Sequence, residues 1–251
     1  MTSDFTGRAV LVTGASSGLG AACVRRLAGA GAHVYAAARD QERLAEVAAS
    51  CADLPGEVAV GHLDVASPAS CRAAVAAAAA RFGRLDVVVN NAGRHDFRIT
   101  GEVTEDQWVH DIAVNLGGAF FCSQAAIPHL LETSGNIVNV ASVAGLVGEA
   151  YSAAYTAAKH GVVGLTKALA VEHLRSPIRV NCVCPGGMDT PQVHTIDVPD
   201  GADFDLIMRV SAARGFMSAD SVAAVICFLA SDDASAVHGS IQTVDHGHLA
   251  G

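Results

Sequence analysis

Two side chains in this sequence are spaced to move a proton. Tyr155 and Lys159 stand four residues apart in Y-T-A-A-K. The run around them is Ala-rich and is expected to be helical, so both side chains leave one face. A free phenol titrates near ~10, and using it as a base at neutral pH takes about 4 kcal/mol of electrostatic help. One positive charge about 5 Å away, at an effective dielectric of ~20, supplies roughly 3 kcal/mol. A second cation bound alongside would supply the rest. Taken alone, this spacing is more often an ordinary solvated helix pair, so the elements that position it must decide.

Apolar periodicity predicts strands over residues 8–12, 33–38, 57–63, 85–90, 136–141, 178–184 and 240–244. Between them the pattern predicts helices over 19–30, 40–51, 104–131, 151–174 and 218–230, and one that opens at Ser67 or Pro68 and runs through the Ala-rich stretch 73–80. This alternation is that of an α/β protein with one doubly wound, seven-stranded parallel sheet, and no linker divides residues 1–251. Ligands in such sheets bind at the carboxyl ends of the strands. Ser142 follows one strand end, Asp64 and Val65 another, and N-N-A-G (90–93) a third.

The first strand runs into Gly14, Gly18 and Gly20 and then a helix, so the backbone can approach a ligand and free N–H groups can hold an anion such as a pyrophosphate. The same residues also read as a tight turn alone. Arg39 ends the second strand, where a dinucleotide fold places the residue that reads the ribose; its charge suits a 2′-phosphate, and otherwise it is a solvated residue opening the next helix. Within 104–131, Asn115-Leu116-Gly117-Gly118 are poor helix formers and predict a weakened turn. Residues 187–215, with Pro191, Pro199 and a cluster of acids at Asp197, Asp200, Asp203 and Asp205, are irregular and read as a binding loop or lid.

A formal net charge of −9 disfavours nucleic acid, anionic membranes and an acidic carrier protein as partners. Seven scattered cysteines in apolar runs read as reduced thiols in a cytoplasmic protein. We read Cys182-x-Cys184 as strand packing and expect no metal. Asp4 stands where a secretory leader would be basic, and no stretch reads as membrane-spanning.

With these pieces placed, the chain resembles the short-chain dehydrogenase/reductase family, in its compact single-domain branch, over essentially its whole length. The resemblance rests on T-G-A-S-S-G-L-G (13–20), N-N-A-G (90–93), Asn115, Ser142, Y-T-A-A-K (155–159) and P-G-G-M-D-T (185–190), in the family's order. It implies a three-layer αβα sandwich of the Rossmann type. It also implies hydride transfer between a nicotinamide cofactor and a ketone or secondary alcohol.

Tyr155 is then the acid/base, Lys159 lowers its pKa and binds the nicotinamide ribose, Ser142 hydrogen-bonds the substrate oxygen, and Asn115 holds a water in a proton relay. The pyrophosphate is expected on Gly14, Ser16, Ser17, Gly18, Leu19 and Gly20, with the adenine near Asp64 and Val65. The ribose is expected near Asn90, Ala92 and Gly93. Pro185, Gly186, Met188 and Thr190 face the carboxamide.

Two departures bear on this. Ser17 stands where NADP-dependent members often carry a base, which leaves Arg39 as the cationic candidate. Asp245-His246-Gly247, followed by His248, replaces the family's D-G-G; the two histidines read as an exposed tail, or else border a neighbouring subunit or the pocket. The expectation is an NADP(H)-preferring ketone reductase with a small-molecule substrate. An NAD-dependent alcohol dehydrogenase and a non-catalytic cofactor-binding scaffold are the alternatives. Helices 104–131 and 151–174 are Ala-rich on several sides, fitting a homo-tetramer or dimer. Arg94, His95, Asp96 and Glu149 read as a polar mouth to the substrate pocket, or equally as rim or subunit contacts.

Overall fold

The computed structural model describes residues 3–209 and 214–250. Strand β1 (Ala9–Thr13) is buried along its whole length, as expected for a strand covered on both faces. Its side chains divide by parity: Val10 and Val12 enter one core layer, and Leu11 enters the other. The strands β2 (His33–Ala38), β3 (Val58–His62), β4 (Val87–Asn90), β5 (Asn136–Val140), β6 (Arg179–Pro185) and β9 (Ile241–Val244) complete a sheet of order β3-β2-β1-β4-β5-β6-β9. Every pairing is parallel. The order reverses between β1 and β4, which makes the crevice above them the switch point.

One face carries α1 (Gly18–Gly29), α2 (Gln41–Ala49) and α8 (Ala219–Ala230). The other carries α3 (Pro68–Phe82), α5 (Gly118–Thr133) and α6 (Ala153–Glu172). This is the expected three-layer αβα sandwich. Ser67 caps α3 by accepting from the Ser70 N–H at 3.3 Å, with Pro68 in the first turn.

The helix expected over 104–131 is in fact broken. Thr104 and Gln107 form a reciprocal cap at the start of α4 (Glu105–Ile112). Residues Ala113–Gly117 form a π turn in which the Gly118 N–H reaches back to Ala113 O, and α5 follows. The poor helix formers flagged in the sequence are the residues that loosen this turn.

The helix expected from 151 starts at Ala153 instead. Tyr151 has φ of +59°, a left-handed backbone that cannot join a right-handed helix. Its hydroxyl instead accepts from the Asp203 N–H at 2.8 Å and ties down the distal loop.

The described part of 187–215 carries more regular structure than expected. It holds β7 (Met188–Asp189) and α7 (Phe204–Met208), and β7 pairs in parallel with β8 (Met217–Ser218) just beyond. Short elements of two to five residues leave too little periodicity to read in sequence. Residues 210–213 of this stretch lie outside the described residues.

Candidate active site

The switch point is pinned by Thr13. Its hydroxyl accepts from the backbone N–H groups of Asn91 and Ala92, both at 3.0 Å. The Asn91 amide in turn donates to Thr13 O and Gly14 O at 3.0 and 3.2 Å. The two turns pack so closely that a Cβ on Gly14 would lie 2.8 Å from the Ala92 Cα, and Gly14 itself has φ of +66°. A Cβ on Gly20 would meet Gly14 O at 2.2 Å, so Gly20 is buried as a packing residue below the turn.

Above the turn, Ser17 precedes α1 without making any side-chain cap. The first helical N–H groups are thereby left for a ligand anion. A lone turn has no need of this cradle, and the residues fit a dinucleotide.

β5 delivers Ser142 to the sheet edge, and the first turns of α6 carry Tyr155 and Lys159. Lys159 is buried, 3% exposed. Its ammonium donates to Val140 O at 3.0 Å and lies 5.5 Å from the centre of the Tyr155 ring. Burial holds the ammonium down to about 8.

The Tyr155 phenol is pushed up rather than down. Burial is the largest cause and the Glu149 carboxylate the next, while the Ser142 hydroxyl pulls the other way. Stripping water from a phenolate outweighs what the Ser142 hydroxyl contributes. A base near neutral pH thus needs positive charge beyond what the chain itself places there.

Asn115 sits in the π turn. Its Oδ1 accepts from the Arg94 N–H at 2.9 Å, and its Nδ2 donates to Arg94 O at 2.9 Å and Asp111 O at 3.1 Å. A Cβ on Gly93 would touch both Asn115 Oδ1, at 2.9 Å, and Lys159 Nζ, at 3.3 Å. Asn115 thus clamps the segment beside the lysine.

Three cavities join into one cleft. The central one is lined by Gly14, Ser17, Gly18, Leu19, Ala92, Gly93, Ser142, Tyr155, Lys159, Pro185, Gly186, Met188 and Thr190. A second continues from Ser16 to Arg39, Asp64 and Val65. A third, of about 440 Å³, opens past Ser142 and Tyr155 into the distal loop.

Among the sequence-predicted positions, Gly20, Asn90 and Asn115 do not line this cleft, Asn115 being buried beneath it. Asn90 turns its amide into the core, to Ser123 Oγ and Asn139 Oδ1, both at 2.9 Å. Its neighbour Asn91 faces the cleft instead, a one-residue difference set by strand parity.

Two basic groups reach the Arg39 end rather than one. Arg43 lines it as well, one helical turn beyond Arg39, and that spacing was the signal in sequence. Arg43 is engaged with Asp40 at 3.4 Å, whereas Arg39 makes no ion pair among the described residues.

The expected polar mouth divides in two. Arg94 and Arg98 both pair with Asp96 at 2.8 Å, outside the substrate cavity. His95 and Glu149 do line it. At the far end, Asp245 is buried and accepts from the N–H groups of Gly247 and Leu249, both at 2.9 Å. It therefore belongs to the fold, while His246 beside it is exposed and His248 half-buried.

Residues 8–199 match the sequence profile of a family described as "short chain dehydrogenase". The chain is 40% identical to meso-2,3-butanediol dehydrogenase of Serratia marcescens, over 98% of this chain and 96% of that protein. It is 38% identical to levodione reductase of Leifsonia aquatica, over 99% and 97%. Among solved structures, levodione reductase superposes with a TM-score of 0.90 at 35% identity, covering 98% of this chain and 99% of that one. A variant actinorhodin polyketide ketoreductase with NADPH superposes with a TM-score of 0.85 at 35% identity, covering 97% and 98%.

Proposed function

The chain belongs to the short-chain dehydrogenase/reductase family, oxidoreductases acting on ketones and alcohols, and from that premise we propose that it is an NADP(H)-preferring ketone reductase with Tyr155 as its acid/base. The observation that carries this reading is the continuous cleft from Arg39, past the uncapped start of α1, to Ser142, Tyr155 and Lys159. When bound, the nicotinamide supplies or accepts the hydride.

In reduction, the Ser142 hydroxyl donates to the carbonyl oxygen as charge builds on it, and Tyr155 donates its proton to that oxygen. The raised pKa of the phenol keeps it protonated and ready to act as the acid. Lys159, held by Val140 O, is placed to hold the ribose and to support the phenolate once it forms. Asn115 keeps the Arg94 segment against the lysine and belongs to the proton relay in this reading.

Gly14, Ser16, Ser17, Gly18 and Leu19 would hold the pyrophosphate, with Gly20 beneath them. Asp64 and Val65 would flank the adenine, Ala92 and Gly93 the ribose, and Pro185, Gly186, Met188 and Thr190 the carboxamide. Asn90 serves by bracing the strand that carries this turn.

Arg39 supports NADP(H), because a 2′-phosphate gains a charge-assisted contact there. An NAD-dependent alcohol dehydrogenase is the second reading. It is favoured by Asp40, whose carboxylate lines the same end of the cleft, although that carboxylate already caps α2 by accepting from the Arg43 N–H at 3.0 Å.

Residues 187–215 form the substrate loop: Gln192, Val193, Ile196, Phe204 and Ile207 wall the cavity beyond Tyr155. The apolar groove of Trp108, Leu116, Phe120 and Leu165 supports assembly into a homo-tetramer or dimer. Seven buried free cysteines suit a reducing cytoplasm. No helix among the described residues is long and apolar enough to cross a membrane.

A panel of ketones and alcohols, followed by nicotinamide absorbance with NADPH and NADH, tests the reading. Ketone reduction faster with NADPH is the expected result. Equal or faster rates with NADH support the second reading, and no turnover of any pair refutes both.

A further inference from the structure

The substrate cavity is apolar over most of its wall, with Phe97, Val143, Val193, Ile196, Phe204 and Phe216 facing it. Against that background, His95 and Glu149 form a polar spot beside Tyr155. The His95 ring lies against the Tyr155 ring with centroids 4.3 Å apart. Its Nε2 meets Ser152 Oγ at 2.7 Å and stands 3.4 Å from Glu149 Oε2.

Burial holds the imidazole down to about 4, so it is neutral at ordinary pH and does not neutralise the carboxylate. Ser152 lies close enough to Glu149 to hold its carboxyl down against burial. Glu149 lines the cavity with its side chain 12% exposed, while its Oε2 is shut off from solvent and has no hydrogen-bond partner among the described residues. A carboxyl group so poorly solvated is costly, and a ligand hydrogen-bond donor reaching the part of it that faces the cavity relieves the cost.

The chemistry of the wall narrows the donor. No Lys or Arg lines this cavity among the described residues, so an anionic group finds no counter-charge and meets the Glu149 carboxylate. An ammonium would have to shed its water among aromatic side chains. A neutral hydroxyl meets neither obstacle.

We propose that Glu149 is a specificity-determining acceptor that selects ketones bearing a free hydroxyl close to the reacting carbonyl, together with the corresponding diols, over plain ketones and keto acids. This rests on the oxidoreductase reading above and names the substrate class for the same site. The carbonyl oxygen lies on Ser142 and Tyr155, the neighbouring hydroxyl donates to Glu149, and the apolar remainder fills the space under the distal loop. Above about pH 7, where the Glu149 carboxyl is ionised, a hydrogen bond to it is worth roughly ten- to hundredfold in kcat/KM, so the substrates are compared on the alkaline side of that value.

The test compares 2-hydroxy-1-phenylethanone, 1-phenylethanone and phenylglyoxylate as substrates for the wild type, Glu149→Leu and Glu149→Gln. Intrinsic reactivity is the same for every protein, so the readout is how the kcat/KM ratio between substrates changes from one protein to the next. The hydroxy-to-plain ratio is expected to fall ten- to hundredfold in Glu149→Leu and by a smaller factor in Glu149→Gln, whose amide oxygen still accepts. The keto acid is expected to gain on the plain ketone in both variants as the repulsion is lost.

A hydroxy-to-plain ratio within threefold of wild type in both variants overturns the proposal, including the case where both ketones lose activity equally. If Glu149→Leu does not fold, Glu149→Gln decides alone. Absence of turnover of all three by wild type with either cofactor overturns the oxidoreductase reading itself, and this proposal with it.

Discussion

The imidazole of His95 lies nearly flat against the phenol of Tyr155, with planes 24° apart and centroids 4.3 Å apart. One face of the residue assigned to proton transfer is therefore covered by a ring that burial keeps neutral, and Glu149 Oε2 stands 3.4 Å from the Nε2 of that ring. The same burial that pushes the phenol up makes the site dry enough for Ser142 to act strongly on a developing oxyanion.

Replacing Tyr155 by Phe removes the proton donor and leaves the ring stack intact. Tyr155→Phe is expected to bind NADPH with an affinity near that of wild type, followed by fluorescence titration, and to lose a thousandfold or more in kcat. Retained turnover would refute the assigned mechanism.

Glu149 gives a pH signature in stability. Its carboxyl is raised from 4.5 to about 7 by burial, with Ser152 opposing. Between those values the folded state keeps a proton that the unfolded chain has released, so stability falls as pH rises through this window. His95, lowered from 6.5 to about 4, acts oppositely: its contribution is present above the unfolded value and is lost as pH falls toward 4. Glu149→Gln removes the first effect alone. It is expected to gain about 3 kcal/mol over wild type at pH 8 relative to pH 5, or roughly 5–10 °C in Tm. A Tm difference that does not change with pH would mean that Glu149 ionises like an exposed carboxylate.

Arg39 makes no ion pair among the described residues and faces the end of the cleft assigned to the adenosine ribose, while Arg43 is occupied by Asp40. Arg39→Asp is expected to lower the NADPH-to-NADH ratio of kcat/KM by about ten- to hundredfold. Arg43→Ala should lower it by less. An unchanged ratio in Arg39→Asp refutes the contact.

Asn115→Ala strands the backbone N–H and C=O of Arg94, which the Asn115 amide satisfies from both sides. Each orphaned group costs about 1–3 kcal/mol, so Tm is expected to drop by several degrees in thermal melts, with a parallel loss of activity. An unchanged melt would show that the clamp is dispensable.

The helices flanking the π turn present Trp108, 44% exposed, and Val109, 62% exposed, beside an apolar groove. Wild type is expected to elute from a sizing column as a tetramer or dimer, and the double variant Trp108→Glu, Phe120→Glu as a smaller species. A monomeric wild type removes the inference.

The sequence by itself determined the sheet and the reaction type, because both are written in local pattern. Buried parallel strands are continuous apolar runs such as 85–90. The phosphate turn needs glycine where the backbone is left-handed, as at Gly14. An i, i+4 pair such as Tyr155 and Lys159 must share a helical face. Even the π turn showed itself through Asn115, Gly117 and Gly118, whose poor helix propensity is a property of the residues themselves.

What only the tertiary structure decided depends on residues far apart in the chain. Parity of β4 turned Asn90 inward and Asn91 toward the cleft. The stacking of His95 on Tyr155, and the burial that moves the phenol up instead of down, arise from packing between a loop and a helix that no spacing encodes. Glu149 became a candidate selector only when the fold closed apolar walls around it, since desolvation is set by the whole surroundings of a group and not by its neighbours in sequence.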